Sequence, residues 1–554
     1  MNAEILPMTT RYAWAQRGDI NAFFGLILDN VAVMIFLLTL ITSANPASDN
    51  HFSRDFVFTR MIPGTALGVV AGDLVYTWLA FRLARRSGHG GVTAMPLGLD
   101  TPSTIAVGTL ILLPSLKYGV EHYGFDHGQA MVFAWHVGAV LLVMIGIFKS
   151  LVAPLGSAVR KWVPRAGLLG SLAGIALALI ALVPLWQHIA TIPLIGLVTL
   201  IVILVTLVAH HPLPGRLPGA LVAVLLGVIL YWSSNLLGPS LHVTLVPLPA
   251  HQQTAVWRLP EFFPVFTQSW PWWRQVFAHA VALLPVMLPF ALATIVGGID
   301  CTESAAAAGD EYDTRSILWT EGLASVLAGL FGGVIQTTPY IGQPAYKAMG
   351  GRAAYTLATA LFIGLAGGLG WFAHLFEWLP AAACFPLLVF VGLEIGAQSF
   401  RATPTRHYPA LALAMLPALA YMALIPLDIA LGSERQPMPH AASVILSLRC
   451  LAGGFIVTSL LWASALAAIL DRQLFRAAAY LGVAAVCSLV GIIHSPLVPA
   501  VIGWPWNVYT QMPQIPEMLC QSPFHWAGGY VLAAAVLMLI GWTSPRYLTN
   551  MSAR

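Results

Sequence analysis

Charge is what this chain has least of. Only 9% of its 554 residues are Asp, Glu, Lys or Arg, against 58% hydrophobic residues. A soluble domain carries about a quarter charged residues, so that class is excluded and a polytopic membrane protein is indicated; a mean hydropathy of +0.80 agrees. The net charge of +4 leaves no footprint for nucleic acid. Cysteine is also sparse. Of the five, Cys301, Cys384, Cys450 and Cys487 fall in or beside apolar runs and Cys520 in an expected external loop, which excludes a disulfide framework. No metal-ligand spacing, paired acidic metal motif or nucleophile elbow occurs, so no metal, cofactor or enzyme chemistry is expected. The start lacks the charged, apolar, small-residue order of a cleavable signal peptide. The 16 histidines are scattered, with His210, His211 and His494 at helix ends, and read as interfacial.

What is abundant is apolar runs long enough to cross a bilayer, about 20 residues each. They predict spans near 20–43, 60–84, 102–115, 128–148, 165–185, 190–209 and 217–236. A Trp- and Pro-rich connection follows, then spans near 276–305, 316–334, 343–350, 354–373, 379–397, 407–430 and 442–470, with two more at 477–495 and 526–543. The expected organisation is a cytoplasmic N-terminus (1–19), a first seven-span repeat (20–236), an external connection (237–275), a second seven-span repeat (276–470) and an extra C-terminal pair with its tail (471–554). Basic residues support this threading. With the N-terminus inside, the inner segments, which include Arg82, Arg85, Arg86 and Lys149, hold about three times as many Lys and Arg as the outer ones. Arg449 falls within a span, where it snorkels outward or pairs with an acid such as Asp428, and Glu394 reads as structural. The protein is therefore placed in the cytoplasmic (inner) membrane, multi-pass, with both termini cytoplasmic and lipid around it.

Two short stretches interrupt the apolar pattern in corresponding places. TAMPLGLDTPS (Thr93 to Ser103) and QTTPYIGQPAY (Gln336 to Tyr346) each pack Thr, Pro, Gly and a polar side chain before a short apolar segment. Such a pair points to the binding site of an inverted-repeat transporter. Pro96, Pro102, Pro339 and Pro344 cannot donate ladder hydrogen bonds, and Gly98 and Gly342 permit close backbone approach. Each place should hold an extended stretch, then a half-helix, the two entering from opposite sides with their N-termini meeting near the midplane. Free N–H groups there suit an anion or the carbonyls of a neutral heterocycle. Met95, Gly98, Asp100, Thr337, Thr338, Tyr340 and Gln343 are the candidate substrate-binding residues on these stretches.

Acids within spans are costly and functional by default. Asp300 and Glu303, three residues apart on one helical face, are candidates for holding a proton or a substrate N–H. Alternatively Glu303 begins the cytoplasmic end, joining Asp310, Glu311 and Asp313 in a solvated acidic loop. Asp29, beside Asn30 in the first span, lines the cavity or pairs with a buried donor, and it is the reserve candidate for proton coupling; Asp73 lies at similar depth in the second.

At these motifs the chain resembles the nucleobase–ascorbate transporter family, also called nucleobase–cation symporter-2 (xanthine/uracil permease-like), and most of all its bacterial purine-permease branch. VTAMPLGLDTPS looks like that branch's T-A-L-P-x-G-I-N-T-P-S signature, with Met95 for Leu and Asp100 for Asn. The resemblance covers roughly 20–470. It implies an all-α fold of two inverted seven-span repeats with two broken helices, core and gate domains, a homodimer, and H⁺-coupled uptake of a purine-like nucleobase by alternating access. The family's acids fall here on Val296 and on Ile341 or Gly342, a departure that leaves Asp300, Glu303 and Gln343 to take over or the substrate to differ. Two rival readings are a carrier of the same architecture for a small anion (sulfate, bicarbonate or a carboxylate) and, more remotely, a membrane-embedded enzyme.

Overall fold

The computed structural model describes residues 12–42, 51–155, 163–241, 268–340, 342–431, 439–496, 504 and 517–543. Ile341, Arg435, most of the expected external connection and the first eleven residues lie outside this set, as do the side chains of Asp428 and Cys520. Among the described residues, ten helices are long and apolar enough to cross a membrane, or up to twelve if each bent pair is one span. The protein is a multi-pass membrane protein, and among the described residues its regular structure is helical apart from two three-residue strands.

In chain order the elements are α1 (Gly18–Thr42), α2 (Arg54–Ser87), β1 (Leu97–Leu99), α3 (Thr101–Tyr123), α4 (His127–Val152), α5 (Arg165–Ile189), α6 (Pro193–Val208) and α7 (Gly219–Leu241). There follow α8 (Trp270–Ala307), α9 (Thr314–Leu330), β2 (Thr337–Pro339), α10 (Gln343–Ala348), α11 (Ala354–Gly368), α12 (Phe372–Trp378) and α13 (Ala381–Arg401). The last are α14 (Tyr408–Leu431), α15 (Pro439–Ala452), α16 (Phe455–Leu470), α17 (Leu474–Leu489) and α18 (Glu517–Thr543).

Three expected boundaries change. The helix after the first break runs on to Tyr123, where Gly124 adopts φ 66° and stops it. The single span expected at 354–373 is α11 and α12 bent by 101° around Gly370 (φ 71°). The span expected at 442–470 is α15 and α16 bent by 75°, with Gly454 at φ 66°. Glycine supplies these left-handed positions without a Cβ clash.

The chain divides into two compact units. One holds 1–157, 184–287 and 294–390, and its helices meet through small residues. A Cβ on Gly322 would lie 2.8 Å from the Gly146 carbonyl, and one on Gly329 2.8 Å from that of Ala139. Close backbone approach of this kind drives helix packing in lipid, and here it brings α4 against α9. The other unit holds 158–183, 288–293 and 391–554. Its α5, α14 and α16 pack on an alanine core of Ala166, Ala410, Ala414, Ala463 and Ala467. Its α16, α17 and α18 share a core with Leu461, Ala484, Ile493, Ala527 and Tyr530. Glu394 pairs with Arg401 at 2.9 Å on the surface of this unit.

Candidate functional site

The two broken stretches meet as a two-stranded antiparallel ribbon in the first unit. The register is Leu97↔Pro339, Gly98↔Thr338 and Leu99↔Thr337. The pairing continues one residue beyond each end, with Asp100 N–H donating to Gln336 O (2.9 Å) and Tyr340 N–H to Pro96 O (2.8 Å). Directly bonded pairs alternate along such a ladder, so Gly98–Thr338 belongs to the bonded set. The backbone groups of Leu97, Leu99, Thr337 and Pro339 then point outward from both edges.

An open strand edge is untenable in a membrane interior unless protein groups satisfy it. Side chains from five helices do so. Asp73 Oδ1 accepts the Leu97 N–H (3.0 Å), Asn30 Oδ1 accepts the Leu99 N–H (3.0 Å), and Asn30 Nδ2 reaches Leu97 O at 3.5 Å. On the other edge Ser325 Oγ accepts the Thr337 N–H (3.4 Å), Lys149 Nζ donates to Thr337 O (3.2 Å), and Cys301 Sγ donates to Pro339 O (3.3 Å). Pro339 has no N–H to satisfy. Lys149 in turn forms an ion pair with Glu321 at 2.6 Å, both side chains fully buried.

Strand periodicity sorts the candidates by face. Leu97, Leu99, Thr337 and Pro339 share one face, fully buried or nearly so, where Thr337 Oγ1 meets Ser325 Oγ (3.0 Å) and the Glu321 carbonyl (3.2 Å). Gly98 and Thr338 share the other, flanked by Asp100 and Tyr340, and Thr338 is the strand residue that keeps exposed surface. A Cβ on Gly98 would lie 3.5 Å from Tyr340 Cβ and 3.8 Å from Asp29 Oδ2. The ribbon thus brings Gly98, Thr338, Tyr340 and Asp29 together and turns Thr337 away.

Other candidates are occupied elsewhere. Met95 is fully buried. Asp100 caps α3, its Oδ2 accepting the Ser103 N–H at 2.8 Å. Gln343 is buried in α10, and its Nε2 donates to Thr93 O (3.2 Å) and Asp310 Oδ2 (2.8 Å). Asp300 is 5% exposed on α8, beside the Cys301 that reaches β2, and Glu303 lies half-buried one turn on. A Cβ on Gly297, one helical turn before Asp300, would meet nothing within 4 Å, so this face of α8 borders open space.

Two expectations about charge are corrected. Lys149 is no loop cation of the inner surface but a fully buried side chain inside α4. Asp310 is not in a solvated loop: it is 1% exposed, accepts the Thr93 N–H (3.1 Å) and pairs with Lys347 (2.7 Å), so it ties the approach to β1 to α10. Glu311 and Asp313 alone are exposed there, Asp313 capping α9 through the Ser316 N–H. Glu321 and Ser325 escaped the sequence reading. Their signal was a polar pair in the apolar run TEGLASVLAG.

No family model matches the chain. YvdB of Bacillus subtilis (strain 168), named as a candidate sulfate transporter, is 24% identical over 375 residues, which are 61% of this chain and 64% of that protein. The chain therefore spans less than two thirds of that relative's length. Among solved structures, the transmembrane domain of the cyanobacterium bicarbonate transporter BicA has a TM-score of 0.45 at 16% identity, over 76% of this chain and 98% of that one. SLC26A9 has a TM-score of 0.47 at 13% identity, over 73% and 62%. The sequence similarity is to a protein named for sulfate transport, and it overturns the expected membership of the nucleobase–ascorbate family. The misleading signal has a physical cause. Pro, Gly and Thr around a chain break in the membrane record a backbone geometry and not the solute bound there.

Proposed function

We propose that this chain is a secondary transporter of a small inorganic anion, with sulfate the first candidate because the relative at 24% identity is named for it. Two inverted seven-span repeats, each with one broken span, would carry it by alternating access, in a homodimer. The observation that carries the reading is the ribbon itself, where a side-chain-free Gly98 faces Thr338 between Tyr340 and Asp29. An anion seated against Gly98 would accept hydrogen bonds from the Thr338 and Tyr340 hydroxyls. The same position brings it within about 4 Å of the Asp29 carboxylate. A carboxylate and a divalent sulfate at that separation repel by about 8 kcal/mol at an effective dielectric of 20. A proton on Asp29, with Asp300 as a second acid near the ribbon, removes that cost and couples anion entry to H⁺ entry.

The test is uptake of radiolabelled sulfate into proteoliposomes with and without an inward H⁺ gradient, against a panel of bicarbonate, short carboxylates and nucleobases. Saturable anion uptake stimulated by the gradient is expected, with the stimulation lost in Asp29→Asn. A protein that takes up none of the anions would sink the reading.

A further inference from the structure

We infer that Lys149 is a positioning residue for the anion site, acting through the carbonyl of Thr337; the inference rests on the proposed anion reading. Lys149 reaches no solvent and no cavity, being 0% exposed, so it cannot touch a transported ion. Its ammonium makes two bonds, to Glu321 Oε1 at 2.6 Å and to Thr337 O at 3.2 Å. The peptide joining Thr337 to Thr338 is a rigid plane. Gripping its carbonyl from one side fixes the direction of the Thr338 N–H on the other, and so the seating of Thr338 opposite Gly98. Thr338 is the strand residue with exposed surface.

The net contribution of the ion pair itself does not account for a lysine here. A buried ion pair recovers little more than its desolvation cost, and replacing both partners by apolar residues of similar volume is often neutral or stabilising. The pair sits where α4 and α9 approach through Gly146 and Gly322, a contact that apolar side chains could fill as well. What they could not supply is a donor for the outward Thr337 carbonyl. Glu321 is then the counter-charge that lets the ammonium stay in place, and Ser325 holds the N–H of the same residue. Positive charge, hydrogen-bond donor and strand edge coincide at one atom.

The experiment compares full-length wild type with K149M/E321L and E321Q. Three readouts are taken: thermal unfolding, sulfate KM in proteoliposomes, and amide hydrogen exchange of the peptide around 335–340. K149M/E321L is expected to stay folded with only the modest drop in unfolding temperature that one unsatisfied carbonyl brings, to raise KM by about tenfold or more, and to exchange faster in that peptide. E321Q removes the counter-charge that keeps the ammonium beside the Thr337 carbonyl, so it should unfold earlier than wild type and also raise KM. A stable K149M/E321L with wild-type KM and wild-type exchange overturns the inference. Should that variant fail to accumulate, K149M/E321M, which likewise offers no donor, takes its place under the same criteria. Wild type without anion uptake sinks the functional reading separately, and exchange at 335–340 then decides the positioning role: faster exchange in the double variant upholds it, unchanged exchange overturns it.

Discussion

Replacing Gly98 with alanine should separate folding from function. Gly98 is the central residue of β1, in extended backbone that alanine adopts without strain. The new methyl carbon would sit 3.5 Å from Tyr340 Cβ, 3.6 Å from Tyr340 Cδ2 and 3.8 Å from Asp29 Oδ2, all ordinary van der Waals distances. Losing glycine's freedom in the unfolded chain stabilises a compatible site by about 0.4–1 kcal/mol, so G98A should fold at least as well as wild type. The methyl group nevertheless projects about 1.5 Å into the space where the proposed anion approaches the strand. A shift of that size takes a hydrogen bond out of range. Losing one charge-assisted bond, about 1.5–3 kcal/mol, weakens binding by roughly 10- to 100-fold. The assay pairs thermal unfolding of the purified protein, with and without sulfate, with initial-rate uptake. Unimpaired unfolding temperature with lost sulfate stabilisation is the expected pattern. If G98A is stable and transports with unchanged KM, no substrate sits at Gly98 and the ribbon face is not the site.

Two further outcomes test the structural argument. Asp73→Ala leaves the buried Leu97 N–H without its acceptor and should cost about 1–3 kcal/mol, whereas Asp73→Asn keeps an acceptor oxygen and most of the stability; equal losses in thermal unfolding would refute the edge-capping role. In the C-terminal helices, Tyr530→Phe removes a hydroxyl that accepts from Trp462 Nε1 (2.6 Å) and meets His494 Nε2 (2.7 Å). It should lower the unfolding temperature by the equivalent of about 2 kcal/mol, and no change would show that these ring nitrogens find other partners.

Composition and apolar run length determined by themselves that this is a multi-pass membrane protein, because a bilayer tolerates no other use for so little charge. Pro96, Gly98, Pro339 and Gly342 also marked both chain breaks, since residues that cannot hold a helix at membrane depth need a special reason to be there. Glu394 was read as structural, and its pairing with Arg401 agrees. The solute class was not legible, because a backbone break by itself names no ligand, and the family resemblance built on it went astray. Nor could the sequence say which polar residues face the ribbon and which hold it. That division is decided by register: a pairing of Gly98 with Thr338 puts Thr337 on the opposite face, and a slip of one residue would exchange them. Lys149 and Glu321 are 172 positions apart, and nothing in either segment names the other as its partner. Only the close packing of α4 on α9 makes them a pair and sets them on the Thr337 carbonyl, because an unpaired strand edge in the membrane must find its donors wherever the fold brings them.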